Sequence, residues 1–123
     1  MKATAMSDAT APPPPIDRTH FWSAVFNDHT LAGQILSAFI ESGDESMASL
    51  RAADSYRAFK SAAHRLKGTA RSVGARSLAR QAELAELARD APEGPRAMRA
   101  LDALERHWLA ARTDAGALAA GLS

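Results

Sequence analysis

The sequence predicts an all-α protein, an up-and-down antiparallel four-helix bundle with a short extra N-terminal helix. Three observations carry this expectation. Apolar residues recur at alternating spacings of three and four along most of the chain, the period of an amphipathic helix. No stretch alternates polar and apolar residues between turn signals, as a strand would. The breaks between periodic segments are short, so successive long helices are expected to be antiparallel neighbours.

The elements follow in order. Residues 1–15 are rich in Ala, Thr, Ser and Pro and end in Pro12-Pro13-Pro14-Pro15, so they read as a disordered arm with a short polyproline segment. Asp17 is placed to cap a short first helix with Phe21, Val25 and Phe26 inward, and Asn27-Asp28 breaks and recaps the chain. A second helix is expected from His29 or Thr30 to Ala53. Its stripe is Leu31, Ile35, Leu36, Phe39, Ile40, Met47 and Leu50, with Ser42-Gly43-Asp44 as a candidate interruption. Asp54 or Ser55 caps a third helix, whose stripe Tyr56, Phe59, Ala63, Leu66, Ala70 and Val73 runs up to Gly74 as an end or bend. The fourth runs from Ala75 or Ser77 to Arg89 on Leu78, Ala82, Ala85 and Leu84/Leu87. Asp90 to Pro95 is turn-like, and the fifth helix presents Met98, Leu101, Leu104 and Trp108. One domain is thus expected over residues 16–115, with 116–123 as a flexible tail. Many inner-face alanines let the helices approach closely.

Composition narrows the function. With 15 basic and 14 acidic residues in 123, net charge offers no argument for nucleic acid or a membrane surface. There is no cysteine, which excludes disulfides, zinc thiolates and cysteine nucleophiles and suits a reducing cytoplasm. No apolar run approaches the roughly 18–20 residues that span a bilayer, and no apolar segment follows Lys2 as a secretory signal requires. His20, His29 and His107 have no metal-ligand spacing, and no paired-carboxylate motif is present, so no metal site is expected.

His64-Arg65-Leu66-Lys67-Gly68 is the stretch that points to chemistry. Positions three and four apart on a helix share a face. A glycine in a helix interior costs about 1 kcal/mol against alanine, so Gly68 beside His64 argues for a need for open space. On a helical wheel His64 lies about 130° from the centre of the buried stripe, on the side shared by Arg57, Lys60, Lys67, Gly68 and Arg71. An imidazole ringed by cations favours an added anion such as a phosphoryl group, and Lys67 suits it as a point charge. A solvated surface histidine is the plainer reading of His64 and Lys67 alone; Gly68 is what weighs against it.

The segment Ala63-His64-Arg65-Leu66-Lys67-Gly68-Thr69-Ala70-Arg71-Ser72-Val73-Gly74-Ala75 closely resembles the signature of histidine phosphotransfer (Hpt) domains. That signature is a small residue, His, two variable or apolar positions, Lys-Gly, Ser/Thr/Ala-Ala, then an aliphatic residue and Gly. The resemblance covers residues 17–112. It implies a phosphorelay intermediate: His64 accepts a phosphoryl group from the aspartyl phosphate of one receiver domain and passes it to another. Lys67 would steady the phosphoryl charge and Gly68 would permit close docking. In relatives a Gln or Glu on the next helix often hydrogen-bonds the imidazole; Glu86 falls at that spacing, with Glu83 as a competitor. The implied partners are response-regulator receiver domains and a hybrid histidine kinase, met through Trp22, Lys60 and Arg71, with Phe21, Val25 and Leu31 as further apolar candidates. No cofactor is expected on this chain, Mg²⁺ belonging to the receiver. The absence of a Gly-rich phosphate loop argues against autonomous kinase, ATPase or phosphatase activity. A cytoplasmic monomer, bound to neither nucleic acid nor membrane, completes the expectation.

The sequence leaves other readings open. One is a docking module for a receiver or kinase that is never phosphorylated, against which the retention of His64, Lys67 and Gly68 together argues. Another is a nucleic-acid-binding bundle using Arg57, Lys60, Arg65, Lys67, Arg71, Arg76 and Arg80, weakened by their spread over several faces without interleaved aromatics. A histidine kinase's dimerisation domain is weaker still, since this chain is long enough to complete a bundle alone.

Overall fold

The computed structural model describes residues 13–122. Five helices follow one another there: α1 (Arg18–Ala24), α2 (His29–Ala52), α3 (Tyr56–Val73), α4 (Arg76–Leu87) and α5 (Pro95–Ala120). No strand occurs among the described residues. α2 packs on α3, α3 on α4, α4 on α5 and α5 back on α2, closing a four-helix ring, while α1 lies against α3. The short links between successive long helices enforce the up-and-down order.

The helix starts follow local chemistry. Asp17, Asp28 and Ser55 cap α1, α2 and α3 by accepting from the amides of His20, Leu31 and Ala58, at 3.0, 3.0 and 3.1 Å. α5 begins with Pro95 at its first turn, where a missing N–H costs nothing, and Asp90 accepts from the Arg96 amide at 2.8 Å. α3 ends on Gly74 at φ 76°, a left-handed C-cap that glycine adopts without strain. A Cβ there would also press into the His20 ring, at 2.8 Å from its nearest atom.

The core is a continuous cluster that includes Ile16, Phe21, Phe39, Phe59, Leu66 and Leu104. Each such side chain contributes about 1.5–3 kcal/mol of burial. α3 and α4 pack on each other, and alanines are prominent between them: Ala63 and Ala70 of α3 and Ala79, Ala82 and Ala85 of α4 are all buried. Small side chains let these two backbones come close, which is what later brings α4 within reach of His64.

The structure corrects several sequence expectations. Ser42-Gly43-Asp44 does not interrupt α2, which is continuous. Gly43 instead seats the Trp108 indole, and Asp44 accepts from Trp108 Nε1 at 3.2 Å and from Arg112 Nη2 at 2.9 Å. Phe26 does not point inward; it is 82% exposed, on a turn where it and Asn27 both take positive φ. Leu84, Leu87 and Met98 are also exposed, because the alanine seam and Ala97 occupy the inner face instead. α4 stops at Leu87, short of Arg89. The segment 116–120, expected as tail, is the last part of α5; Ala115 is buried, and Leu118 and Leu122 pack on the core. Ile16 is fastened there too: its amide donates to Asp114 Oδ2 at 3.0 Å, and Arg18 Nη2 donates to Asp114 Oδ1 at 2.8 Å. Of the proline arm, residues 1–12 lie outside the described residues; Pro13–Pro15 are non-helical and lead into Ile16.

Candidate functional site

His64 sits near the middle of α3, one residue past the fully buried Ala63. That offset of about 100° turns the imidazole out of the core onto the flank facing α4. The side chain is 66% exposed. Its Nδ1 lies 2.7 Å from Oε2 of Glu86, which stands in the last turn of α4. On the other side of the same carboxylate, Lys67 Nζ lies 2.6 Å from Oε1. This second contact is an ion pair off the line of a directed hydrogen bond, since Oε1 is shielded from solvent and has no aligned donor. Lys67 and Glu86 are 14% and 15% exposed, so the pair forms a half-buried floor under an open ring.

The charges fix the tautomer. Lys67 first, then the His64 contact, hold the Glu86 carboxyl below its ordinary range against the opposing effect of burial. An ionised carboxylate only accepts hydrogen bonds, so Nδ1 must carry the proton. In the neutral ring Nε2 then keeps its lone pair, and it has no hydrogen-bond partner among the described residues. Glu86 also lies at the negative end of the α4 dipole, an unfavourable place for a carboxylate that the Lys67 ammonium offsets.

One turn along α3, a Cβ built on Gly68 would meet nothing within 4 Å. The glycine lines a shallow hollow of about 330 Å³ between α2 and α3, shared with Ile35, Ala38, Phe39, Ser42, Thr69 and Ser72. Ser42 Oγ and Thr69 Oγ1, 2.9 Å apart, tie the two helices there.

The remaining candidates are distributed differently from expectation. The ring of cations does not close on the imidazole: among the described residues its one charged contact is Glu86, an anion. Lys67 turns to that carboxylate, and Lys60 Nζ lies 5.9 Å from the centre of the Tyr56 ring. Arg71 lines a separate hollow with His20, Arg76, Arg80 and Glu83, which places the competitor Glu83 away from the ring. Trp22 is half-buried, its ring 5.4 Å from those of Phe21 and His29. Phe21 and Val25, at 0% and 2% exposure, are core residues and face no partner. Leu31 is half-buried against the core. Sequence reasoning missed the hollow beside Gly68. Its signal was the helical spacing of Ile35, Ala38, Phe39 and Ser42, legible only once α2 is set against α3. Among the described residues no group of three or more His, Asp or Glu side chains is placed to hold a metal ion, and no helix is long and apolar enough to cross a membrane.

An all-helical bundle that presents one exposed, carboxylate-oriented histidine beside an open glycine defines a class of protein in which the imidazole meets a partner at the surface. The comparison with known families gives that class its name. The model of the Hpt domain matches residues 34–114, a span that contains His64, Lys67, Gly68 and Glu86. The chain belongs to the Hpt domain family, whose members carry out histidine phosphotransfer in phosphorelays. No curated protein and no solved structure matches the chain significantly.

Proposed function

We propose that His64 is a phosphoryl carrier between two receiver domains. The observation that carries this reading is the oriented ring: Nδ1 held by Glu86 at 2.7 Å, with the opposite nitrogen unengaged on an exposed edge. Nε2 attacks the phosphorus of a receiver's aspartyl phosphate as the P–O bond breaks and the electron pair leaves with the aspartate. A second receiver's aspartate later takes the group by the reverse step. The transition state is loose, so positioning and charge placement dominate. Glu86 orients the imidazole, and Gly68 leaves the approach open. The ammonium of Lys67 is engaged by Glu86 at 2.6 Å, so steadying the phosphoryl charge directly requires it to exchange that partner.

The partners on this reading are response-regulator receiver domains and a hybrid histidine kinase. Trp22, Lys60 and Arg71 flank the docking face, and the hollow of Ile35, Ala38 and Ser42 lies within it. Mg²⁺ belongs to the receiver's acidic pocket; this chain supplies no ligands for it in the reaction as written. The protein works as a cytoplasmic monomer without kinase, ATPase or phosphatase activity of its own.

The test is incubation with phosphorylated receiver domains and Mg²⁺, beside a His64→Gln variant. Acid-labile, base-stable phosphate on the wild type and none on the variant is the expected result. No label from any active receiver would leave a non-transferring docking module as the better reading.

A further inference from the structure

The phosphorylated ring inherits the proton that the free ring carries. When Nε2 forms its bond to phosphorus, Nδ1 still holds its hydrogen, so the product ring is a cation. In return transfer the N–P bond breaks and the electron pair goes back to Nε2, leaving neutral imidazole with Nδ1–H. No proton moves in either direction. If water removed the Nδ1 proton from the phosphorylated ring, the leaving group would become imidazolate, a far poorer one. Transfer therefore depends on keeping one proton at one atom.

Resting on the reading of His64 as phosphoryl acceptor, we propose that Glu86 is a positioning residue for the phosphorylated state. It retains the Nδ1 proton on phosphohistidine and so keeps the phosphoryl group transferable. The arrangement of the three side chains suits that task. The carboxylate reaches Nδ1 at 2.7 Å, is only 15% exposed, and has its other oxygen 2.6 Å from Lys67, which anchors it. A charged acceptor stabilises a ring cation more than a neutral amide in the same place does. Lys67 then acts chiefly through Glu86.

On α3, Lys60 and Lys67 lie one turn to either side of His64, Arg57 and Arg71 two turns to either side, and Arg65 next to it in the chain; on α4, Glu83 lies one turn before Glu86, with Arg89 and Asp90 just beyond the helix end. On α2, Glu41 and Glu45 make no ion pair or hydrogen bond to the ring. The cations favour loss of the proton; the one carboxylate in contact opposes them.

The experiment uses the full chain phosphorylated with phosphoramidate, a small donor that needs no receiver. The phosphorylated ring is titrated by ³¹P and ¹⁵N NMR in wild type, Glu86→Gln and Glu86→Ala. Glutamine keeps the shape and a hydrogen-bond acceptor but removes the charge, and circular dichroism checks that each variant is folded. The expected result is that wild-type phosphohistidine keeps its ring proton to a pH at least about one unit higher than Glu86→Gln, a factor of ten in the proton-loss equilibrium. Transfer to a receiver should decline with pH correspondingly earlier in the variant. Coincident titrations of phosphorylated wild type and Glu86→Gln would overturn the proton-holding role while leaving His64 as acceptor. Failure of both phosphoramidate and receivers to label His64 would overturn the acceptor reading and this inference with it.

Discussion

Replacing Gly68 by alanine separates what the bundle needs from what its partner needs. Gly68 is inside α3, where glycine costs roughly 0.5–1 kcal/mol relative to alanine because the unfolded chain loses more freedom on folding. The added Cβ would meet nothing within 4 Å, so no steric term opposes the gain. The free protein should therefore become more stable by about 0.5–1 kcal/mol, raising Tm by about 2–6 °C for a domain of this size. A docked receiver changes the sign. If its surface closes on the face beside His64, an extra methyl there is overpacking, worth about 1–3 kcal/mol. Phosphotransfer should slow about five- to hundredfold while the fold is strengthened. Thermal unfolding by circular dichroism and single-turnover transfer from a phosphorylated receiver read the two effects separately. Raised stability with unchanged transfer would refute close approach at Gly68; lowered stability would refute the open space assigned to it.

Three further outcomes are expected. Gly43→Ala should destabilise by about 1–3 kcal/mol in urea unfolding, because its Cβ would fall inside the Trp108 indole; a Trp108→Leu background should absorb part of that loss in a double-mutant cycle. Asp114→Asn removes the bidentate partner of Arg18 and should cost about 1 kcal/mol near neutral pH, the 40% exposure of Arg18 keeping the figure low. The Arg18 hydrogen bonds hold the Asp114 carboxyl below its usual 3.8, so this contribution is complete above that pH and is lost as pH falls through the depressed folded value; wild type and variant should converge there in acid unfolding. α3 carries Arg57, Lys60, Arg65, Lys67 and Arg71 and no acidic residue. Transfer from an acidic receiver pocket should therefore slow as salt rises from about 0.1 to 1 M, where the Debye length shrinks from about 10 to 3 Å, with little change in Tm.

Local information was enough for much of the architecture. The stripe of α3 and the caps at Asp17, Asp28 and Ser55 depend on residues three or four apart, so they can be read from the chain. The exposure of His64 followed from the same period, one step off the buried Ala63. Reading failed where a residue's fate depends on a distant one. Gly43 looked like a break because its reason, the Trp108 indole, lies on α5. Leu84 and Leu87 looked like core because leucine is greasier than alanine, yet they fall on an exposed flank of α4 beside Arg96 and Arg99 of α5, while Ala82 and Ala85 take the buried face.

The site divides along the same line. An exposed histidine with a lysine and a glycine one turn away on the same helical face is legible in the sequence, since helix geometry places those neighbours whatever else the chain does. That the ring's charged contact is a carboxylate and not a crown of cations, and that Lys67 faces that carboxylate, follows from how the helices pack. Glu86 is 22 positions from His64 along the chain. Their 2.7 Å contact exists because an alanine seam lets α4 lie close against α3, and the depth and rotation of that packing are written in no single segment.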